Sequence, residues 1–153
     1  MLSIRNATIE DIPLIRELAM QVWPQTYTPI LGEEQVAYML QLFYSPAVLE
    51  GQLRQGQQFI ICCNAGLPVA FAAWSEAAPQ VFKLHKLYIL SSQQRLGVGR
   101  YTIDYIVNEL KANCALALRL NVNRYNHRAI SFYEKMGFPT IWMKISILAQ
   151  AIL

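Results

Sequence analysis

The spacing of apolar residues changes near residue 57, and this change limits the folds that the chain can adopt. On the N-terminal side, apolar residues recur three or four positions apart, as they do on the buried face of a helix. The sequence predicts a short first strand over Leu2 to Asn6, and then helices that begin at Thr8, after Gly32 and at Ser45-Pro46. Pro24 and Pro29 predict an irregular segment between the first two helices, because proline has no backbone N–H to donate.

Beyond residue 57 the apolar residues form short runs that are typical of strands. Gln58 to Cys63 and Leu67 to Trp74 are separated by Asn64-Ala65-Gly66, which is a hairpin signature. The remaining elements are a strand over Gln80 to Leu90, a helix from Gly97, a strand over Ala115 to Val122 and a helix over Asn126 to Met136. Helices, then an antiparallel meander, then alternating strands and helices predict one α+β domain over residues 1–153.

Composition narrows the class of protein. A chain of 153 residues suffices for one domain, and 54% hydrophobic with 15% charged residues argues against disorder. No apolar run reaches the roughly 18 residues of a spanning helix, and the N-terminus has no signal-peptide pattern, so we expect a cytoplasmic protein without a membrane partner. The net charge of +3 suits an anionic ligand but is too mild and dispersed for nucleic-acid binding. The three cysteines lack metal-binding spacing, and we expect no metal site.

A basic glycine loop lies between a predicted strand and the helix that follows it. It reads Gln94-Arg95-Leu96-Gly97-Val98-Gly99-Arg100. Glycines permit positive φ and close approach of a ligand to the backbone, and the first amides of a helix favour an anion. The sequence therefore predicts a phosphate-binding turn, although ordinary turns also contain such glycine pairs. The loop lacks the Gly-Lys-Ser/Thr of a nucleotide-hydrolysing P-loop and the third glycine of a dinucleotide fingerprint.

Four segments around this loop together resemble the GCN5-related N-acetyltransferase (GNAT) family. They are residues Leu87–Leu90, Gln94–Gly99, Asn123–Ala129 and Phe132–Phe138. The N-terminal half resembles the bacterial branch that contains PaiA-type polyamine acetyltransferases, through Trp23, Thr26-Tyr27, Ile30-Leu31, Glu34-Gln35, Tyr38–Leu40 and Tyr44-Ser45. The resemblance implies a mixed, mostly antiparallel central sheet with helices on both faces. Ser91 departs from the family, which often has proline there.

The resemblance implies acetyl-coenzyme A (acetyl-CoA) as the cofactor. Its pyrophosphate would lie on the loop residues Gln94, Arg95, Leu96, Gly97, Val98, Gly99 and Arg100. The backbone of Leu87, Tyr88 and Ile89 would pair with the pantetheine arm like an added strand. Asn126 would bond the arm from the other side, or cap the following helix, or do both. Arg128 and Lys135 would reach phosphate, unless they are only solvated surface charges.

The resemblance also implies direct attack of an amine on the thioester, which requires an acid and a base. Tyr133 matches the family tyrosine that protonates the departing thiolate, although packing on the sheet would also explain it. His85 is the first candidate base because it precedes Leu87 by two residues and shares its strand face, and because histidine suits proton transfer near neutral pH. A hydrogen-bonded, half-buried histidine is the alternative. Glu76, acting through water, is the second candidate.

The acceptor pocket is expected along the segment Trp23 to Leu31 and the next helix, with Trp23, Tyr27, Glu34 and Tyr38 as the candidate residues. Glutamates at a helix start also favour the helix dipole without binding anything. The expected partner is a small-molecule amine, with polyamines as the first guess. Two alternatives stay open, which are a non-catalytic acyl-CoA-binding or regulatory protein and a nucleotide-binding module.

The C-terminus departs from the family pattern. Members normally continue past Gly-Phe with two long strands, whereas only Pro139 to Leu153 remain here, so the final β-hairpin is expected to be shortened or missing. The gene can also be read in a shifted frame that starts at the third base of the Trp142 codon. With codons that this amino-acid sequence permits, the shifted frame encodes Asp-Glu-Asp-Ile-Asp-Ile-Gly-Thr-Gly-Tyr-Phe, which resembles the usual C-terminal continuation in this branch of the family. We therefore hypothesise a frameshifted, truncated chain, and a gene lacking GATGAAGAT across Trp142 to Ile145 would contradict this. The alternative is a genuinely short variant. Either way, a bare sheet edge favours a homodimer.

Overall fold

The computed structural model describes residues 1–142 and 146–152. Within these ranges the chain forms seven strands and five α-helices, together with two short 3-10 turns. The elements are β1 (Leu2–Asn6), α1 (Ile12–Leu31), α2 (Glu33–Tyr44), α3 (Pro46–Arg54), β2 (Gln58–Asn64), β3 (Leu67–Ala78), β4 (Val81–Ile89), α4 (Val98–Ala112), β5 (Ala117–Asn123), α5 (His127–Lys135), β6 (Thr140–Trp142) and β7 (Ser146–Ile152). The predicted α+β class is confirmed.

All the described strands join one sheet in the order β1-β2-β3-β4-β5-β7-β6. Its neighbours pair antiparallel except β4 and β5, which are parallel. The predicted β2–β3 hairpin is present, and Ala65 and Gly66 both have positive φ, 51° and 82°, as a tight hairpin turn requires. The sheet is therefore mixed and mostly antiparallel, as predicted.

Helices cover both faces of the sheet, because its strands carry apolar side chains on both. On one face α4 and α5 contribute Ile103, Ile106, Leu110, Ile130 and Tyr133, which pack with Trp74, Leu84, Leu118 and Leu120. On the other face α1, α2 and α3 contribute Ile15, Leu18, Trp23, Val36 and Leu49, which pack with Phe59, Phe71 and Ala73. The site lies between these two layers of helices, at the ends of the central strands β4 and β5.

The prediction of an irregular segment around Pro24 and Pro29 is wrong, because α1 runs through both prolines to Leu31. Each proline deprives the carbonyl four residues earlier of its partner, and those carbonyls belong to the exposed residues Met20 and Gln25. Burial of Trp23 and its neighbours against the sheet outweighs this loss, since tertiary packing supplies most helix stability. No helix in the described part of the chain is both long enough and apolar enough to span a bilayer.

The C-terminal hairpin is shortened but present. β6 has three residues, whereas β7 pairs with β5 along its length, from Asn123↔Ser146 to Ala117↔Ile152. The expectation of a shortened hairpin is therefore confirmed, and β7 of the same chain covers the edge of β5. Residues 143–145 lie outside the described residues, so the frameshift across Trp142 to Ile145 stays a prediction.

Candidate active site

The site is built where β4 and β5 separate. The two strands pair only from Val81↔Ala117 to Leu84↔Leu120, and beyond this point each continues without the other. A cavity of about 740 Å³ opens between them, within the range of ordinary ligand sites. Its walls come from the end of β4, the glycine loop, the end of β5, the start of α5 and one turn of α1.

The end of β4 presents an unpaired backbone edge to this cavity. Leu90 N–H donates to Val69 O at 2.9 Å, so residue 90 points its backbone groups toward β3. Backbone direction alternates along a strand, which turns the N–H and C=O of Leu87 and Ile89 away from β3 and toward the cavity. Tyr88 instead bonds toward β3, and its side chain packs with Phe71 on the α1 face. The edge formed by Leu87 and Ile89 can therefore accept an extended polar chain.

The glycine loop ends in the first turn of α4, with Gly97 at φ 81° before the helix. The helical bonds begin with Tyr101 N–H donating to Gly97 O, so the amides of Val98, Gly99 and Arg100 precede them and face the cavity end of the helix. Gly99 is required for packing, because a Cβ there would lie 2.9 Å from the Phe132 ring. The loop thus supplies free N–H groups at the positive end of a helix.

Cationic residues line the same cavity as these amides. Arg95, Arg100, Arg128 and Lys135 all line the cavity. Arg128 also donates to the Gln94 side chain, which ties the start of α5 to the loop. Anion-binding amides, four cations and an open strand edge in one cavity fit the pyrophosphate and the amide-containing arm of coenzyme A.

Tyr133 lies in the same cavity and is 8% exposed. Its ring packs edge-on against Phe132 and Phe138, at centroid distances of 5.1 and 5.7 Å. Burial raises the pKa of the Tyr133 hydroxyl, so the group stays protonated and can donate at neutral pH. Tyr133 can therefore pack in the core and also act as a proton donor.

Asn126 caps α5, since its Oδ1 accepts from Ala129 N at 3.2 Å, and it also lines the cavity. Its amide nitrogen retains donors for a second partner. The helix cap considered from the sequence is therefore present, and the bond from Asn126 to the cofactor arm stays a prediction.

His85 interrupts the pairing of β4 with β3. The register shifts between Ala73↔Lys86 and Trp74↔Leu84, so His85 is an extra residue and simple alternation does not assign its face. The side chain nevertheless lines the same cavity as Leu87, and its Nε2 lies 2.7 Å from Ser75 Oγ. Burial, together with the charges of Lys86 and Lys83, lowers the pKa of His85 to about 4. The imidazole is therefore neutral and able to accept a proton at physiological pH, although it is a weak base.

Glu76 does not line this cavity. It is exposed at the β3–β4 turn, where its Oε1 accepts from Gln80 N at 3.2 Å. Among the four acceptor-site candidates, the structure brings only Tyr27 to the cavity. Trp23 is buried in the core beside it, whereas Glu34 and Tyr38 are exposed on α2, outside the cavity wall.

Two residues near the site have roles that the sequence reading missed. Ser75 bonds His85, and counting outward from the β3–β4 turn would have placed it within two residues of that histidine. Lys86 is buried, donates to Gln52 Oε1 at 2.8 Å, and lies 5.2 Å from the Phe59 ring centre. Burial lowers the pKa of Lys86 to about 8. No local pattern marks a lysine that turns inward.

Comparisons with known proteins agree with this geometry. The chain is 26% identical over 142 residues to spermidine N(1)-acetyltransferase of Thermoplasma acidophilum, covering 90% of this chain and 88% of that protein. The crystal structure of PaiA N-acetyltransferase from Thermoplasma acidophilum in complex with coenzyme A superposes with a TM-score of 0.93 at 23% identity, covering 100% of this chain and 99% of that one. The ribosomal-protein-S18-alanine N-acetyltransferase of Escherichia coli shares the fold at a TM-score of 0.74 and 17% identity, covering 98% and 91%. Residues 13–138 match the acetyltransferase (GNAT) family. The chain therefore belongs to the acetyltransferase (GNAT) family, whose cofactor is acetyl-CoA.

Proposed function

We propose that this protein transfers an acetyl group from acetyl-CoA to a primary amine of a small molecule by direct attack. The observation that carries the proposal is the convergence in one cavity of the open edge of β4, the amides at the start of α4 and the buried Tyr133 hydroxyl. A binding site without chemistry would need the first two features but not a buried proton donor beside them.

In this proposal one group of residues binds acetyl-CoA and a second group transfers protons. The amides of Val98 to Arg100 and the side chains of Arg95, Arg128 and Lys135 hold the phosphates, and the backbone of Leu87 and Ile89 holds the pantetheine arm. When bound, acetyl-CoA supplies an activated acyl group next to the point where β4 and β5 separate. This arrangement converts the encounter with the amine into a reaction between oriented groups.

Two proton movements complete the transfer. The nitrogen of the amine forms a bond to the acyl carbon while the carbon–sulfur bond breaks. His85, neutral and facing the cavity, receives the proton that the amine loses, and Ser75 fixes the orientation of its ring. Tyr133 donates its hydroxyl proton to the departing sulfur and regains one from solvent. His85 is preferred over Glu76 as the base because only His85 faces the cavity.

A polyamine is the first acceptor to test. Support comes from the relative in Thermoplasma acidophilum, which is named a spermidine N(1)-acetyltransferase and aligns over 90% of this chain. Tyr27 and Thr26 on α1 form the wall of the cavity beside the end of β4, and this is the side from which an amine would enter. We also propose a cytoplasmic location, and that any homodimer uses the sheet edge at β6, because β7 covers β5.

The test is release of free thiol from acetyl-CoA in the presence of spermidine, spermine, putrescine, amino acids and short peptides. We expect turnover with at least one amine, together with tight binding of coenzyme A in calorimetry. Tight binding without turnover for any amine would replace this proposal with that of a non-catalytic acyl-CoA-binding protein. Displacement of coenzyme A by ATP or NAD would favour a nucleotide-binding module.

A further inference from the structure

Lys86 is a charged residue that turns inward next to the candidate base. It is 8% exposed, and its Nζ donates to Gln52 Oε1 on α3 at 2.8 Å and to Gln57 Oε1 at 3.5 Å. The same ammonium group lies 5.2 Å from the Phe59 ring centre and 6.0 Å from that of Tyr44. Burial of a charge costs free energy even when the charge is hydrogen bonded, and acetyl transfer as proposed above does not use this group.

The residues on either side of His85 face opposite layers of helices. Leu84 packs in the core beside α4 and α5, whereas the Lys86 ammonium group lies against α3. Trp74 pairs with Leu84 and Ala73 pairs with Lys86, so His85 is the extra residue between them. In a regular strand, positions 84 and 86 would face the same side, because side chains alternate. The bulge is therefore what allows Lys86 to face α3.

The position of this bulge decides which side chain reaches the cavity. If the extra residue were Lys86, His85 would pair with Ala73 and would turn toward α3, since a shift of one position reverses the face. The imidazole would then replace the ammonium group beside the amide oxygens of Gln52 and Gln57. An ammonium group offers three donors to such oxygens, whereas a neutral imidazole offers one. The site against α3 therefore favours Lys86 and leaves His85 as the bulged residue.

We propose that Lys86 is a positioning residue for the base. Its ammonium group, bound against α3, fixes the bulge of β4 so that the His85 imidazole lines the cavity and bonds Ser75. The inference rests on the proposed function in taking His85 as the base, and it adds the feature that selects which residue of β4 occupies that place. Loss of the ammonium group removes this selection, so the imidazole occupies the productive position for a smaller fraction of the time.

A double-mutant cycle on kcat tests this proposal in the full chain. Methionine is unbranched like lysine, so Lys86→Met keeps an apolar chain against Phe59 and removes the ammonium donors. We expect Lys86→Met to lower kcat about three- to tenfold, with the Kd of coenzyme A unchanged within about twofold. The double variant should have a kcat within about twofold of His85→Gln alone, because Lys86 acts through His85.

Nuclear magnetic resonance of the imidazole nitrogens tests the position of His85 without an activity assay. The chain has two histidines, so His127 serves as the internal reference. In the wild type we expect the His85 resonances to show the hydrogen bond between Nε2 and Ser75 Oγ, which lie 2.7 Å apart. In Lys86→Met this signature should be lost from all of the molecules or from a second population, while the His127 resonances stay unchanged.

Arg16→Met is the matched control. Arg16 on α1 is another partly buried basic residue, and its Nε donates to Tyr44 O at 2.8 Å. Its loss should leave kcat unchanged within about twofold and should leave the His85 resonances as in the wild type. If Lys86→Met unfolds, Gln52→Ala replaces it, because this variant removes the acceptor at 2.8 Å and should lower kcat in the same direction by a smaller factor.

The outcomes separate this inference from the proposed function. A Lys86→Met variant with the kcat and the His85 resonances of the wild type overturns the inference. A double variant whose loss equals the product of the two single losses also overturns it, because Lys86 would then act independently of His85. If the wild type acetylates no amine, or if His85→Gln keeps full kcat, the proposed function or its base fails, while the resonances still decide whether Lys86 positions His85.

Discussion

The two halves of β4 differ in their strand neighbours, and the proposed function depends on that difference. The first half, Val81 to Leu84, pairs with β3 on one edge and with β5 on the other. Within residues 1–142 and 146–152, the second half, Leu87 to Ile89, pairs with β3 alone. Buried backbone groups in folded proteins are almost always satisfied, so an unpaired strand edge inside a cavity indicates a ligand that completes it. We therefore expect the paired half to contribute stability and propose that the open half contributes binding.

The largest expected effect comes from removing the proposed proton donor, Tyr133, which lines the cavity at the open half of β4. We expect Tyr133→Phe to lower kcat about a hundredfold, because general acid catalysis typically contributes at least this much. The Kd of coenzyme A should stay within about twofold, since the ring still packs against Phe132 and Phe138. Tyr125→Phe, at an exposed tyrosine outside the cavity, is the control. Equal kcat values for the two variants would remove Tyr133 from the mechanism.

The next prediction concerns His85, which lies between the two halves. We expect His85→Gln to lower kcat about tenfold, a modest loss because the wild-type imidazole is a weak base. The depressed pKa of His85, about 4, keeps the imidazole neutral in the folded enzyme, so kcat should persist below pH 6.5 and fall only as pH approaches 4. A pH profile of kcat checks this prediction. A kcat that falls to half its maximum near pH 6.5 would mean that the base is a histidine with an unperturbed pKa or another group.

Gly99 tests the contact between the loop and the second half of β4. A methyl group there would press on the Phe132 ring and, at 3.2 Å, on Ile89. We expect Gly99→Ala to weaken coenzyme A binding about fivefold, because overpacking by one methyl group displaces the first turn of α4. Gly51→Ala is the matched control, since Gly51 lies within α3 and its Cβ would meet no atom within 4 Å. If Gly99→Ala binds coenzyme A as tightly as the wild type, binding does not depend on the exact position of the amides in the first turn of α4.

Lys86 gives the smallest expected effect on binding. Its ammonium group lies against the Phe59 and Tyr44 rings and donates to Gln52. Lys86→Met should change the Kd of coenzyme A by less than about twofold. Burial depresses the pKa of Lys86 to about 8, so charging it costs free energy of folding as pH falls from about 10 to 8. The stability of Lys86→Met relative to the wild type should therefore increase over that range in urea unfolding. A relative stability that is constant between pH 7 and 10 would contradict the burial argument.

Local sequence patterns predicted several elements of the fold, and two of them line the cavity. The Asn64-Ala65-Gly66 turn, the helix after Gly97 and the cap at Asn126 all follow from local chemistry that needs no knowledge of the fold. The same patterns failed at Pro24 and Pro29, because the burial of Trp23 overrides a local cost. They also failed to show the register shift at His85 and the inward turn of Lys86, since both depend on which strand lies beside β4.

The acceptor side was the least predictable for a related reason. Glu34 and Tyr38 lie on α2 at positions that sequence alone could assign to a pocket, but the packing of α2 against α1 leaves them exposed. Tyr27 reaches the cavity because α1 does not end at Pro24. Its hydroxyl lies 3.4 Å from the Tyr88 hydroxyl on β4, and no local spacing in the sequence indicates this contact.

Amide hydrogen exchange, followed residue by residue with and without coenzyme A, tests the central claim most directly. We predict that the amides of Leu87 and Ile89 exchange rapidly in the free protein and become strongly protected when coenzyme A binds. The amides of Phe82 and Leu84 on the doubly paired half should be protected in both states. Binding of coenzyme A that leaves the exchange of Leu87 and Ile89 unchanged would contradict the claim that the open edge of β4 holds the cofactor.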